Sequence, residues 1–486
     1  MLVEQLSRAV TDSRQRLDAA LGGPARRHVV LLLAAVLGLA SADQATIGAS
    51  ATQLRAALNL SHAELGLLAA VTGLVGAAAS IPFGSLVDRV NRTRLLAGAV
   101  GMWAVVMAVS ASAGSFLQLL LIRCALGAVV AIAAPATASL IGDFFAPRER
   151  GRIWGYVLTG ELVGAGIGFT VAGSAASISW RAPFLVLSLP AVALALLLWR
   201  LPEPGRAGRG QLTPGAELVQ SASGDAEDAE TPAPVMSRAQ SAAAASDAVE
   251  PDPDLVIKDD PHGWSLWHAV RYVLRIRTNV ILIIAGASGY FFFAGVRAFG
   301  VEFVKGQYGV GQGFASTLAL ILGVFAVGGV LLSGRLSDAS AGSGRLTSRV
   351  TIGAAALAGS CVMFVPALLV TSAAWGVLTL GAAAFFLAAL NPPLDAARLD
   401  IMHPTLWGRA EAVRTVVRQP VEAIAPLLFG VLADHLAGGG QDGLQTTFLI
   451  MLAPLAVAVL VLVRARATYP RDVATAAASI ERTQHA

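Results

Sequence analysis

The stretch Gly84-Ser85-Leu86-Val87-Asp88-Arg89-Val90-Asn91-Arg92 has a shortened second copy within this sequence of 486 residues. The copy, Gly334-Arg335-Leu336-Ser337-Asp338, repeats the Gly, Leu and Asp 250 residues later. Four residues of another loop motif recur 257 residues later, and these are Asp143, Pro147, Gly151 and Arg152, repeated as Asp400, Pro404, Gly408 and Arg409. Two motifs that recur at nearly one offset indicate a chain built from two parallel repeats.

Both copies of the first motif follow long apolar runs, and the composition is equally apolar. Hydrophobic residues make up 55% of the chain and charged residues 14%, and the mean hydropathy is +0.67. A soluble domain has about 25% charged residues. A globule of this size could not hide so much apolar surface from water, so most of the chain must be solvated by lipid.

Twelve apolar runs are long enough to cross a hydrocarbon core of ~30 Å, which takes about 20 residues each. They lie near 29–50, 65–84, 95–113, 116–141, 153–175, 183–200, 278–299, 314–333, 350–370, 373–394, 411–433 and 446–463. The short connections after even-numbered spans, together with the first turn of span 11, hold twelve arginines, whereas the other short connections hold only Arg55, Arg181 and Lys305. This asymmetry predicts a multi-pass protein of the plasma membrane with both termini and the central loop in the cytoplasm.

The predicted domain organisation follows from these spans. Two six-helix bundles, 28–200 and 278–464, are flanked by cytoplasmic segments that comprise 1–27 and 465–486. Residues 201–263 are rich in Ala, Ser, Pro, Asp and Glu, and this composition predicts a disordered acidic cytoplasmic linker.

The segment 264–277, between the linker and span 7, has apolar residues at helical spacing. Trp264, Trp267, Val270 and Leu274 form the stripe, and arginines flank it. The pattern predicts either an amphipathic helix at the inner membrane interface or a cytosolic extension of span 7.

The beginning of the chain also imitates a cleavable signal peptide. Arg26 and Arg27 precede an apolar stretch, and Ala40-Ser41-Ala42 follows it. We favour a retained first span, because its removal would leave eleven spans and break the charge asymmetry.

Several classes of protein are excluded by the residues that the chain lacks. Lys258 and Lys305 are the only lysines and neither precedes Ser or Thr, so no phosphate-binding Walker A loop exists. Cys124 and Cys361 lie in apolar runs, and the histidines lie at span ends or in loops. We therefore expect no catalytic residues, no metal, no cofactor and no nucleic-acid partner, which argues against a membrane-embedded enzyme. We also expect a monomer.

The stretch from Gly84 to Arg92 resembles the loop 2–3 signature of the major facilitator superfamily, G-x-x-x-D-R-x-x-R, and 334–338 resembles its second copy. The resemblance implies an all-α membrane protein of twelve helices in two pseudo-symmetric six-helix bundles. It also implies a cytoplasmic gate that holds helix ends together in the outward-open state, made of Gly84, Asp88, Arg89, Arg92, Gly334 and Asp338. The alternative is that these arginines serve topology alone.

Ionisable residues inside the spans are costly and mark a pathway by default. They occur in spans 1, 4, 5, 7 and 11 and are absent from spans 3, 6, 9 and 12; the residues are Asp43, Arg123, Glu161, Arg297, Arg418 and Glu422. The resemblance implies that every third helix faces lipid and that helices 1 and 4 face the same cavity. Asp43 and Arg123 each lie about 10 Å below the outer surface. We expect them either to couple transport to protons or to form a permanent tie between the two helices.

Glu161 and Arg418 are related by the same offset of 257 residues, and Glu422 lies one turn beyond Arg418. We expect Glu161 to be a second protonation or cation site and Arg418 to anchor an anionic group. The alternative is an Arg418–Glu422 pair within one helix and a neutral Glu161.

Aromatic residues of spans 7 and 10, among them Tyr290, Phe293 and Phe386, are candidates for the substrate cavity. Helix packing is the alternative role for such residues. In span 5, Gly160, Gly164 and Gly168 recur at every fourth position and predict a close helix approach.

The resemblance implies a secondary transporter that works by alternating access. The apolar cavity favours proton-coupled export of a hydrophobic or amphipathic small molecule, with proton-coupled uptake of an organic anion as the alternative. A non-transporting receptor is a further class. Asp43 followed by the loop pattern through Asp143 also resembles the Spinster-like branch, whose members move lysolipids, although Val130 stands where that branch has an acid in helix 4.

Overall fold

The structure is a computed structural model that describes residues 15, 18–19, 21–87, 90–145, 150–205, 212, 236–245, 249–259, 261–342 and 346–485. Every regular element in these ranges is a helix. The α-helices, in chain order α1 to α17, are Pro24–Ala49, Ala51–Leu58, His62–Val87, Arg92–Ser110, Phe116–Val130, Ala133–Phe144, Arg150–Ala176, Ala182–Trp199, Arg238–Ala244, Leu266–Arg275, Arg277–Tyr308, Gln312–Gly342, Ser348–Leu369, Ala373–Ala389, Asn391–Asp400, Trp407–His435 and Gly440–His485.

Twelve segments of the described chain are helical, long and apolar enough to cross a membrane, as the sequence predicts. Nine of them are single helices, spans 4 and 10 are each built from two consecutive α-helices, and span 11 begins with the short 3-10 helix Pro404–Leu406 before α16. The break in span 10 falls at Leu390, directly before Pro392 and Pro393, whose missing backbone N–H groups cannot continue the ladder. The break in span 4 falls at the corresponding place, between α5 and α6.

The chain divides into two compact units. Unit 1 comprises Met1–Leu60 and Val71–Glu230, and unit 2 comprises Ser61–Ala70 and Thr231–Ala486. The predicted division into halves is therefore modified at one place, because the first turns of α3 belong to unit 2. Close packing explains this: a Cβ added at Gly66 would lie 2.2 Å from the carbonyl oxygen of Pro426.

Helices α1 and α7 pack closely in unit 1. Glycines on α7 make this approach feasible, because a Cβ at Gly164 would lie 2.1 Å from the carbonyl oxygen of Gly38. A Cβ at Gly160 would lie 2.4 Å from the carbonyl oxygen of Ala34. The predicted role of the glycine stripe in helix approach is thus confirmed.

The described parts of the segment 201–263 differ from the expectation of a disordered linker, whereas 206–211, 213–235, 246–248 and 260 lie outside the described residues. Helix α9 begins with a capping box in which Ser237 and Gln240 exchange hydrogen bonds. Leu255, Val256 and Ile257 are buried, and the Ile257 N–H donates to Ser479 Oγ on α17. Composition alone could not reveal that a helix of unit 2 would supply these partners.

The segment 264–277 forms a separate helix, α10, that ends at Arg275. Ile276, in an extended conformation, separates it from span 7, so a simple extension of that span is wrong. Ala269 and Val273 are buried, whereas Trp267 is 77% exposed. This division of faces fits the amphipathic alternative.

The predicted tail 465–486 continues the last membrane helix, since α17 runs over 46 residues to His485. Tyr469 and Ser479 of this extension are buried. The tail is therefore part of unit 2.

Candidate functional site

Asp43 on α1 and Arg123 on α5 form an ion pair inside unit 1. Arg123 Nη1 donates to Asp43 Oδ1 at 2.9 Å, and each residue is 1% exposed. The guanidinium also lies 5.2 Å from the centre of the Phe184 ring. The structure therefore brings together the two residues that the sequence proposed as partners.

This pair is incompletely satisfied. Within the described residues, Arg123 Nε and Nη2 are buried without a hydrogen-bond partner. A buried charge with few hydrogen bonds depends strongly on its single counter-ion. Neutralising Asp43 with a proton would leave the guanidinium without that counter-ion, so such a pair can act as a two-state switch.

The environment of Glu161 differs from that of the buried Asp43–Arg123 pair. It follows Gly160, which faces α1, and its own side chain lies on an exposed face of α7. The expected protonation or cation site at Glu161 stays a prediction.

Arg418 in unit 2 is the centre of a second charged cluster. Its Nη1 lies 3.8 Å from Glu422 Oε2 one turn away on α16, and Arg297 Nη2 on α11 lies 3.5 Å from Glu422 Oε1. The Arg418 guanidinium lies over Tyr290, 4.1 Å from the ring centre. Among the described residues, no group accepts a hydrogen bond from the buried Arg418 Nε. The pairing within α16 that was the alternative interpretation is present, and Arg418 retains unused donors.

Sequence reasoning assigned two neighbouring arginines, Arg398 and Arg414, to topology alone. They surround Glu411 and Asp395: Arg398 Nη1 lies 3.1 Å from Glu411 Oε2, and Arg414 Nη1 lies 3.7 Å from Asp395 Oδ1. Arg398, Arg414 and Arg418 line the same small cleft together with Asn391 and apolar residues of α11. Their helical spacing of four residues, from Arg414 to Arg418, was the signal available in the sequence.

Of the aromatic candidates for the substrate cavity, one is exposed and another packs between helices. Phe293 is 43% exposed and lies 5.9 Å from the Arg297 guanidinium. Phe386 packs against Gly359 of α13, where an added Cβ would lie 2.8 Å from the ring. Helix packing, the alternative role, therefore accounts for Phe386.

The predicted cytoplasmic gate is described only in part. Asp88 and Arg89 lie outside the described residues, and Gly84 lies near the end of α3. Arg92 begins α4 and is buried. Its guanidinium forms an ion pair with Asp143 and lies 2.7 Å from Glu203 Oε1.

The second copy of this arrangement was missed by sequence reasoning. Arg349 Nη1 lies 2.6 Å from Asp400 Oδ2, and both residues stand 257 positions after Arg92 and Asp143. The offset that already related the two aspartates would have identified Arg349. Asp338, the expected gate residue, is more peripheral: its side chain is 75% exposed and lies 4.0 Å from Arg349. The nearest atom to an added Cβ at Gly334 is Cβ of Pro392 at 3.7 Å.

Each of these two arginine–aspartate pairs has different further partners. Burial would raise the pKa of Glu203, but hydrogen bonds from the Thr93 backbone and from Arg92 outweigh it, so the pKa lies below its ordinary value. In unit 2, Ser237 Oγ and Tyr469 Oη donate to the Asp400 carboxylate at 2.7 and 2.5 Å.

Comparison with known proteins identifies the family of the chain. Residues 33–419 match the sequence profile of the Major Facilitator Superfamily. The probable L-galactonate transporter of Escherichia coli (strain K12) is 27% identical over 169 residues, which are 35% of this chain and 37% of the relative. The 3-(3-hydroxy-phenyl)propionate transporter of the same organism is 28% identical over 200 residues, which are 40% of this chain and 47% of the relative. The matched stretches thus span less than half of each of these relatives.

A solved structure has the same fold over nearly the whole chain. It is that of a bacterial homologue of the human lysosomal transporter Spinster in an inward-facing and occupied conformation. The TM-score is 0.69 at 19% identity, over 92% of this chain and 98% of the other. This likeness shows a shared fold, and the profile match over residues 33–419, most of the sequence, establishes that the chain belongs to the Major Facilitator Superfamily.

Proposed function

We propose that this protein takes up a small organic carboxylate by alternating access, in symport with protons. The observation that carries the proposal is Arg418, whose guanidinium is stacked on Tyr290 and whose Nε has no acceptor in the described part of the chain. A guanidinium with unused donors is suited to bind a carboxylate through two parallel hydrogen bonds.

The substrates for which the two relatives are named support the choice of substrate class. L-galactonate and 3-(3-hydroxy-phenyl)propionate are both carboxylates. Tyr290 beside Arg418 and the exposed Phe293 add aromatic surface, which favours a carboxylate with a substantial apolar or aromatic part.

Proton coupling is proposed for Asp43 and Arg123. A buried carboxylate that pairs with a single arginine has two states, paired when ionised and released when protonated. A change in the pairing between them would couple proton binding to a conformational change of α1 and α5.

Export of a hydrophobic or amphipathic molecule is the second candidate. The exposed ring of Phe293 and the apolar cleft residues contributed by α11 favour it. In this case Arg418 would pair with Glu422 throughout, as their 3.8 Å separation permits.

Transport into proteoliposomes tests the proposal. With an acidic exterior, labelled L-galactonate or 3-(3-hydroxyphenyl)propionate should accumulate, and a protonophore should abolish the accumulation. Arg418→Gln should reduce uptake about tenfold or more, because a charge-assisted hydrogen bond contributes ~1.5–3 kcal/mol. Arg466→Gln, at an exposed position of α17, is the matched control and should transport normally.

The coupling role has its own readout in the same preparation. Asp43→Asn should retain exchange of labelled for unlabelled carboxylate but lose accumulation driven by the pH gradient, whereas the exposed Asp442→Asn should retain both. Normal gradient-driven accumulation by Asp43→Asn would refute the coupling role. Failure of all carboxylates, with proton-dependent movement of a neutral amphipathic probe, would favour the second candidate.

A further inference from the structure

His62 is a buried histidine at the very start of α3, and neither proposed site uses it. It is 2% exposed. The turn that precedes it is fixed by Ser61 and Glu64: the Ser61 N–H donates to Glu64 Oε2 at 2.9 Å, and the Glu64 N–H donates to Ser61 Oγ at 3.1 Å. This capping box sets the direction in which His62 leaves the backbone.

Each ring nitrogen of His62 faces a carboxylate of unit 2. Nδ1 lies 2.7 Å from Asp434 Oδ1 on α16, and Nε2 lies 3.6 Å from Glu302 Oε1 on α11. A neutral imidazole has one N–H and can donate to one carboxylate only, whereas the protonated ring donates from both nitrogens. The arrangement is therefore complementary to the protonated form.

Asp434 also holds the backbone at the start of α3. Its two carboxylate oxygens accept hydrogen bonds from the N–H groups of His62 and Ala63 at 2.9 and 2.7 Å. Gly430, one turn earlier on α16, permits this approach, because an added Cβ there would lie 2.2 Å from the His62 carbonyl oxygen. The ring and the helix start are thus held by the same carboxylate.

The two carboxylates that face the ring come from different helices, Glu302 from α11 and Asp434 from α16. The other ionisable residues close to these three in the chain are Glu64 on α3, Lys305 on α11 and His435 on α16. Lys305 interacts electrostatically with Glu302, and the exposed His435 ring contacts the Val431 carbonyl instead. On the apolar side, the Phe299 ring centre lies 6.2 Å from the centre of the His62 ring. The two charged groups in ion-pair distance of the His62 ring are thus both acidic.

We propose that His62, Asp434 and Glu302 form a second proton-binding site, separate from Asp43 and Arg123, and that its protonation strengthens the attachment of the start of α3 to α11 and α16 within unit 2. The predicted topology places the ends of spans 2, 7 and 11 that carry these residues on the outer side. A proton arriving from outside would then strengthen this attachment. The site's role in transport rests on the proposed symport, but proton binding itself does not.

Nuclear magnetic resonance of protein with ¹³C-labelled histidine, in lipid nanodiscs and without substrate, tests proton binding. The signal that disappears in His62→Gln identifies His62. In the intact protein the position of this signal should depend on pH, because proton binding changes the imidazole ring. Its midpoint should fall by about one pH unit, a tenfold loss of proton affinity, in Glu302→Gln and in Asp434→Asn, because each removes one facing carboxylate.

The control is His435→Gln, which removes the neighbouring exposed histidine and should leave the His62 midpoint unchanged. A His62 signal that does not titrate, or that has the same midpoint in Glu302→Gln, would overturn the proposal. Glu302→Gln decides the matter even when Asp434→Asn does not fold, because it leaves intact the hydrogen bonds by which Asp434 holds the backbone N–H groups of His62 and Ala63.

Hydrogen exchange of the amides at His62 and Ala63 tests the attachment. After correction for the intrinsic pH dependence of exchange, protection should fall about tenfold as His62 loses its proton, by the reciprocity of coupled binding. In His62→Gln this step should be absent. If the protection of these amides does not depend on the protonation of His62, the proposed attachment is refuted, whatever the transport assays show.

Discussion

At the scale of single residues, the same arginine–aspartate ion pair occurs in both units, but the residues that surround it differ. Arg92–Asp143 and Arg349–Asp400 are equivalent pairs in the two units. The third partner is Glu203 for the first pair, whereas Tyr469 and Ser237 serve the second. Partners that come from the linker and the tail lie outside the repeated sequence, so the repeat could not predict them.

Glu203 gives unit 1 a contribution to stability that depends on pH. Because the pKa of Glu203 is lowered in the folded protein, the stabilisation is present above the ordinary value of about 4.3 and is lost as pH falls through the folded pKa. The temperature at the midpoint of thermal unfolding should therefore decrease when the pH is lowered below about 4.3, and it should decrease less in Glu203→Gln. The difference should correspond to about 1 kcal/mol, since the carboxylate is partly exposed.

The matched control for this measurement is Glu250→Gln, at an exposed position of the segment before α10. It should lose stability with acid as the unsubstituted protein does. An identical acid dependence in Glu203→Gln would show that Arg92 is satisfied by Asp143 alone.

The candidate site was predictable as a set of residue types but not as contacts. Asp43 and Arg123 were identified from the cost of charge in the membrane, and the structure pairs them. Glu161 was identified by the same rule, yet its side chain is exposed, because spacing along α7 alone does not say which face turns inward. His62 carried no signal, since its carboxylate partners lie more than two hundred residues away in the chain.

At the scale of elements, the close packing of α1 against α7 is the feature most sensitive to a single substitution. Gly164→Ala would place a methyl group 2.1 Å from the Gly38 carbonyl oxygen, so the helices would have to separate. Overpacking of this kind typically costs about 1–3 kcal/mol. We expect a lower thermal midpoint and, because Asp43 is on α1, weaker pH-driven accumulation.

Gly98→Ala on α4 is the control, because nothing lies within 4 Å of an added Cβ there. It should leave the thermal midpoint unchanged or slightly higher, as alanine favours a helix. Equal midpoints for the Gly98 and Gly164 variants would mean that the close approach of α1 and α7 contributes nothing to stability.

Periodicity predicted the long elements and failed for the short ones. The twelve spans were visible because lipid imposes both their length and their apolar composition. Helix α9 was not, because the buried apolar residues of this short helix are only alanines, Ala239 and Ala243, and its start is held by Asp400. Order in that segment is a property of its contacts with unit 2.

At the scale of the whole molecule, the duplication explains why so much followed from the sequence. One six-span pattern used twice yields the same loop motifs at offsets of 250 and 257 residues and the same break in spans 4 and 10. The two units nonetheless differ in what is added to them. Unit 2 includes α9, α10 and the extension of α17, for which unit 1 has no counterpart among the described helices.

The orientation of the whole chain in the membrane is the last expectation open to test. Twelve arginines after the even-numbered spans, against three basic residues in the other short connections, predict a cytoplasmic side that includes the linker. The chain has only two cysteines, so Cys124→Ser with Cys361→Ser gives a cysteine-free background. In it, Ser177→Cys or Ser372→Cys, at exposed connections, should react with a membrane-impermeant maleimide on intact cells. Ala245→Cys, exposed after α9, should react only after permeabilisation, and the opposite pattern would invert the topology, which would place His62 on the inner side.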